Sequence, residues 1–286
     1  MKYMLGLNSE TDINKDIIEK SDGVGMIRSE NLCINKMQYF TIEEFQTYVE
    51  EYLKTIAELF EGKDVWYRTS DLVPHQINLL KGCDHKLDED QFLLGLRGIR
   101  RSLEYIDTFR KELNCFVNAH NIYNNLGLLL PFISNPNELR ITKELLTKEF
   151  NYNGKIGIMI EMPSVMLLLD EYEKIGVDNY TIGSNDLTSM ILGAERSIKN
   201  YSKNDEAILL AIKQVLEKVH SYNKKLTIAG YMDQEFHDNC QALGVDYFCL
   251  HYNEIPNIFE VEKPELYTQH YDNMKENYAR IKYGKR

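Results

Sequence analysis

Short apolar runs of strand length alternate with longer amphipathic stretches along almost all of this 286-residue chain. The runs are Tyr3–Leu7, Val24–Arg28, Val65–Arg68, Leu93–Arg97, Leu126–Phe132, Ile156–Ile160, Tyr180–Ile182, Leu226–Ala229 and Tyr247–Leu250. Between them apolar residues recur at helical spacing, as in Phe45, Val49, Tyr52, Ile56 and Leu59, behind a Thr41/Glu44 pair that reads as a capping box. Asp205 opens a second such pattern through Ile208, Ile212, Val215 and Val219, and Val165–Glu173 forms a third after Pro163. No Pro/Gly-rich linker, repeat or low-complexity block interrupts the series. Alternation of this kind makes a parallel sheet flanked by helices, in one α/β domain. An open doubly wound sheet would carry a phosphate-binding G-x-G-x-x-G after its first strand, and that is absent. The expected fold is therefore a single-domain (β/α)8 TIM barrel over residues 1–286, with its core at about 1–260 and a helical tail at 261–286. Nine runs exceed eight strands by one, so one of them is an extension or no strand at all.

Charge and cysteine usage narrow the function classes. Lys+Arg 33 against Asp+Glu 44 gives a net charge of −11, a field that repels nucleic acid and anionic membranes. An anionic substrate would have to be held by local arginines and a metal. The basic residues at the end (Lys275, Arg280, Lys282, Lys285, Arg286) read as a helix tail. Five scattered cysteines, never in C-x-x-C spacing, argue against a zinc site or disulfide framework and for a reducing compartment. Met1–Leu7 runs too soon into Asn8, Ser9 and Glu10 for a signal peptide, and no apolar run approaches the ~20 residues of a membrane span. The expectation is a soluble, cytoplasmic protein.

In a barrel, catalytic groups sit at the C-terminal ends of the strands. Arg28, Arg68, Arg97 and Glu161 stand at or directly after the ends of four runs, and Asn185-Asp186 follows a fifth. One arginine ending a strand is ordinarily a salt-bridged scaffold residue. Three such arginines with a carboxylate pair are different, because a hydrophobic barrel end has no packing use for clustered guanidinium groups. Carboxylates on neighbouring strand ends suit a hard divalent cation, and Arg196 nearby could hold an anion bound to it. Asn185-Asp186 also reads as an Asx turn capping a helix at 187–192.

These residues lie in motifs that resemble the phosphoenolpyruvate (PEP)/pyruvate-binding barrel of the PEP-utilising enzymes, PEP synthase above all. The motifs are GVGMIRSE (Gly23–Glu30), YRTSD (Tyr67–Asp71), LLGLRGIR (Leu93–Arg100), LLPF (Leu129–Phe132), IMIEMPS (Ile158–Ser164), IGSNDLT (Ile182–Thr188) and GAER (Gly193–Arg196). The resemblance implies that Glu161 and Asp186 ligate Mg²⁺, that Arg28, Arg68, Arg97 and Arg196 clamp the phosphoryl and carboxylate groups, and that Asn185 donates to phosphate. Guanidinium forks suit both anions. Glu30 and Asp71 read as partners that orient the arginines.

The pattern also departs from that family. Where its members carry a cysteine that moves the proton at the enolpyruvate carbon, Thr227-Ile228-Ala229-Gly230 puts Ala229, which cannot. Tyr231 and Asp233 lie close in sequence, Tyr231 being a weak substitute because a phenol of pKa ~10 is a poor base; Cys240, expected on a helix, and Cys249, on the last strand, are others. The nucleotide-binding and phosphohistidine domains of the family are not in this sequence, and each of the seven histidines reads as a surface or loop residue. Segments after Asp71 and after Arg196 differ too. Three functions compete: a transferase of phosphorus-containing groups that exchanges phosphoryl with a histidine on a separate carrier or ATP-binding subunit; a lyase acting through a pyruvate enolate; and a catalytically silent PEP/pyruvate-binding or regulatory protein. A homodimer is implied by the resemblance alone.

Overall fold

A computed structural model of the chain describes residues 2–9, 13–83, 85–86, 94–199, 201–251, 253–261 and 276–277. It opens with β1 (Lys2–Leu7), α1 (Lys15–Lys20), β2 (Gly23–Arg28), α2 (Ser29–Lys36), α3 (Glu43–Leu59) and β3 (Asp64–Arg68). Then come α4 (Pro74–Ile77), α5 (Gly98–Glu104), α6 (Ile106–His120), β4 (Leu126–Leu130), α7 (Pro136–Phe150) and β5 (Ile156–Ile160). The second half runs α8 (Pro163–Leu167), α9 (Leu169–Ile175), β6 (Asn179–Gly183), α10 (Ser184–Leu192), α11 (Glu206–Ser221), β7 (Leu226–Ala229), α12 (Gln234–Leu243), β8 (Tyr247–Leu250) and α13 (Ile255–Phe259). The strands pair in parallel in sequence order and β8 closes on β1, which makes an eight-stranded barrel. Most of the expected tail at 261–286, with the basic residues at its end, lies outside the described residues. No helix among the described residues is long and apolar enough to cross a membrane.

Strands buried on both faces read as unbroken apolar runs, and β4 to β7 are buried at every position. One face packs on the helices. The other fills the barrel with Met4, Met26, Trp66, Leu129, Met159, Ala229 and Cys249. Trp66 fits because its register partner on β4 is Gly127, where a Cβ would come within 2.6 Å of the indole. At the bottom of the barrel, aspartates satisfy the amides that open three strands. Asp22 accepts from Tyr3 N at 2.8 Å, Asp178 from Ile156 N at 2.9 Å and Asp246 from Leu226 N at 3.0 Å.

Four local expectations are corrected. Leu93–Arg97 is the surplus run: residues 94–97 form a turn, β3 already pairs with β4, and no strand edge remains for it. Leu93 itself lies outside the described residues. Thr41 and Glu44 form no capping box; Ile42 is the N-cap of α3, and the Thr41 hydroxyl donates to the Gly82 carbonyl. The pattern at Val165–Glu173 divides at Leu168 into α8 and α9. Asn185 and Asp186 do not precede a helix but lie in the first turn of α10, whose N-cap is Gly183. Asp205 does cap α11, accepting from Ala207 N at 2.9 Å.

Between α6 and the barrel lies a carboxyl group with no cation beside it. Glu112 is 2% exposed and accepts from Tyr67 Oη at 3.0 Å and from Ser70 N at 2.8 Å. Burial pushes its carboxyl up to about 8. A folded-state value above the unfolded one means the folded protein holds the proton longer, so stability falls as pH rises from about 4.5 to about 8. Glu112→Gln should reduce that fall, by a margin on the order of a few kcal/mol. Urea unfolding of both proteins at pH 5.5 and 8 reads it; parallel losses would contradict the assignment.

Candidate functional site

The sheet delivers its polar residues to one end of the barrel. Arg28 closes β2 and Arg68 closes β3, while Glu161 follows β5 directly. Asn185 and Asp186 come straight after β6, Arg97 is the N-cap of α5, and Arg196 lies beyond α10. All seven border one cavity of about 380 Å³, together with Ala229 and Tyr231. Every site residue expected from sequence is therefore brought to the same mouth.

Asp71, Glu161 and Asp186 are buried, and one oxygen from each lies within 4.8 Å of the others, a group that could hold a metal ion. Around it, cations and anions interlock. Arg97 grips Asp71 bidentately, Nε to Oδ1 at 2.9 Å and an NH2 to Oδ2 at 2.7 Å, and the same NH2 reaches Asp186 Oδ2 at 3.3 Å. Arg196 donates to the other oxygen of Asp186 at 2.6 Å. Arg68 bonds Glu30 and lies 3.6 Å from Asp71. Arg28 donates to Asn8 Oδ1 at 3.0 Å. Glu30 and Asp71 thus orient arginines as expected. What sequence reasoning missed is that Asp71 also joins the carboxylate cluster; its place three residues after Arg68, in YRTSD, was the available signal.

Backbone geometry fixes the acids. Glu161 Oε2 accepts from Phe132 N at 2.8 Å, with Phe132 at φ 55° carrying its ring under Arg97, 4.2 Å from the guanidinium. Position 183 is glycine where Glu161 needs room, since a Cβ there would collide with Oε1. Electrostatics separates the three carboxyls. Burial would raise Asp71, but Arg97 and Arg68 hold it below the usual range. Burial, then the charges of Asp186 and Asp71, push Glu161 up to about 8 against the pull of Arg68 and Arg97. Two polar atoms, Arg68 Nε and Glu30 Oε2, are buried without a hydrogen bond among the described residues.

Ala229 ends β7 with its methyl in the barrel interior. Of the four residues weighed as its replacement, Tyr231 alone borders the cavity, 59% exposed, while Asp233 caps α12 and accepts from Phe236 N. Cys240 is buried in the outer core, on α12. Cys249 faces the barrel interior beside Ala229, its thiol pushed up to about 12 by burial. Of the histidines, expected on the surface or in loops, His251 lies in the loop after β8, where it borders the cavity, whereas His237 is buried on α12.

A family model described as PEP-utilising enzyme, PEP-binding domain, matches residues 1–263. The chain belongs to that family. A probable phosphoenolpyruvate synthase from Pyrococcus abyssi is 31% identical over 225 residues, covering 73% of this chain and 28% of the relative. A phosphoenolpyruvate-protein phosphotransferase from Staphylococcus aureus is 30% identical over 267 residues, covering 85% of this chain and 44% of the relative. The chain thus spans 28% and 44% of the length of these two curated relatives. Among solved structures, an HpcH/Hpal aldolase/citrate lyase family protein from Burkholderia cenocepacia superposes with a TM-score of 0.54 at 13% identity, over 96% of this chain and 94% of that one, which shows a shared fold.

Removing one partner of a buried ion pair strands the other charge, at a cost of about 3–5 kcal/mol. Arg97→Met should destabilise the domain by about that amount, because Asp71 loses its bidentate partner. Equilibrium urea denaturation measures it, and a loss under ~1 kcal/mol would show that the pair is solvated.

Proposed function

We propose that this barrel binds phosphoenolpyruvate or pyruvate together with Mg²⁺, and that it passes a phosphoryl group between the enol oxygen and a histidine carried on another domain or protein. The observation that carries the reading is the convergence of Arg28, Arg68, Arg97 and Arg196 with three clustered carboxylates in one cavity. The donor set fits the cation: all three carboxylates offer hard oxygen ligands, and Glu161, pushed up by burial and then by the charges of Asp186 and Asp71, is the carboxyl that a nearby positive charge would relieve. Glu161 and Asp186, with Asp71 beside them, would hold Mg²⁺, which supplies charge neutralisation for substrate oxygens.

The chain's own side chains do the rest. Arg28 and Arg68, at the ends of adjacent strands, present donors to an anion, and Arg68 Nε is a buried donor still available for one. Arg97 and Arg196 hold Asp186 from two sides, so the carboxylate is fixed before a ligand arrives. Positioning and charge neutralisation of this sort make up most of the catalysis in phosphoryl transfer. In the direction of pyruvate, the histidine nitrogen takes the phosphorus as the bond to the enol oxygen breaks, leaving the enolate. Protonation of its carbon is a separate step. Ala229 has no proton to give, which favours a second reading in which the enolate is held, or captured by another electrophile, rather than protonated quickly.

Titration calorimetry with oxalate, a planar mimic of the enolate, tests the binding. Oxalate should bind in the presence of Mg²⁺, and Asp186→Ala should weaken it at least about tenfold, a charge-assisted ligand contact being worth ~1.5–3 kcal/mol. Binding indifferent to Mg²⁺ would overturn the site. The proton step is read separately, by following the pyruvate methyl signal in D₂O. Exchange should be slow in the natural protein and faster in Ala229→Cys; rapid exchange in the natural protein would show that another group already moves the proton.

A further inference from the structure

His251 belongs neither to the arginines nor to the carboxylate cluster, yet it borders the same cavity. Strand register explains how it arrives there. Ala229 pairs with Cys249, and both face the barrel interior. Leu250 faces the outer core, so the next residue, His251, returns to the inner side, one layer above Cys249. Its backbone is held firmly: His251 N–H donates to Glu254 Oε2 at 2.6 Å, while the other oxygen of that carboxylate takes Met232 N–H at 2.8 Å. Glu254 therefore ties the end of β8 to the loop that carries Tyr231.

The ring is oriented as well. Asn253 N–H donates to His251 Nδ1 at 3.4 Å, so the neutral imidazole carries its hydrogen on Nε2. Among the described residues, Arg28 from β2 acts on it electrostatically, Glu254 at the start of α13 holds its backbone, and the Tyr231 phenol after β7 borders the same cavity. Burial and the Arg28 guanidinium push the imidazole down to about 3, so it stays neutral at physiological pH.

We propose that His251 is a substrate-binding residue of this barrel, whose Nε2–H donates to an oxygen of the carboxylate-bearing anion held beside Arg28. The assignment rests on the cavity being the PEP/pyruvate site. It has a physical rationale: Arg28, Arg68, Arg97 and Arg196 already face Glu30, Asp71, Glu161 and Asp186 in equal number, and a neutral donor adds a directional bond without disturbing that match. The same geometry excludes His251 as the base that enolises pyruvate. Its one unprotonated nitrogen is occupied by the Asn253 amide, and a proton placed there would face that N–H.

The test is oxalate binding with Mg²⁺ by calorimetry at pH 7.5, joined to nitrogen-15 NMR of the histidine ring. H251L should bind about tenfold more weakly than the natural protein, the loss of one hydrogen bond to a charged group. H251Q, which keeps an N–H near the same place, should recover part of that loss, a rescue that a merely structural role would not give. The ring should show the Nε2–H tautomer and remain neutral down to pH 5. Equal affinity in H251L, an Nδ1–H tautomer, or titration near 6.5 would each overturn the assignment. If the natural protein itself fails to bind oxalate with Mg²⁺, the functional reading falls and takes this one with it; if it binds and H251L binds as well, the role of His251 alone falls.

Discussion

The bidentate pair of Arg97 and Asp71 is the interaction on which the rest of the barrel mouth depends. Neither residue is on a strand: Arg97 caps α5 and Asp71 lies in the loop after β3. Their two bonds bring those loops together, and the same guanidinium continues to Asp186 on α10. Arg196 then takes the far oxygen of Asp186. A chain of four alternating charges thus crosses the mouth from the β3 side to the β6 side. Burying it is costly, since each ion loses its hydration, and only near-ideal geometry recovers the cost. A hydrophobic mouth would be at least as stable. The polar arrangement is therefore better explained by what it holds than by what it stabilises.

Why so much of this was legible in the sequence follows from the architecture. A parallel barrel buries both faces of each strand, so strands appear as unbroken apolar runs, and Ile156–Ile160, Leu226–Ala229 and Tyr247–Leu250 have the bounds read for them. The abrupt switch from apolar to charged at the ends of β2, β3 and β5 marks Arg28, Arg68 and Glu161. The same rule failed at Leu93–Arg97, an apolar stretch ending in an arginine, because one-dimensional pattern does not record whether a pairing edge is available. It failed for Thr41 because a hydroxyl can serve a distant carbonyl, that of Gly82, instead of its own helix. His251 was overlooked for a related reason. Its position above the cavity depends on inward-outward alternation carried one residue past the strand, and nothing in its neighbours' residue types distinguishes it.

Local and global charge pull in opposite directions here. The chain carries −11 overall, a field that opposes the approach of any anion. At the mouth four arginines face four carboxyl groups, and burial with the charges of Asp186 and Asp71 pushes Glu161 up to about 8. A protonated Glu161 would leave the arginines one charge in excess, a local field that favours an anion. Arg68, Arg97 and Arg196 are already engaged with carboxylates and Arg28 with Asn8, so only part of their donor capacity is open to an anion.

Position 229 shows how little the scaffold constrains the chemistry placed on it. Its side chain lies among Met26, Met159 and Cys249, a packing environment in which alanine and cysteine differ by one sulfur atom. The methyl group that stands there carries no transferable proton. The thiol that is present, Cys249, is one strand away and points the same way, but burial pushes it up to about 12 and it does not border the cavity. Proximity in the sheet is not proximity to substrate. Under the proposed function, binding rests on many residues that must agree with one another, whereas protonation from position 229 would rest on one that need agree with none.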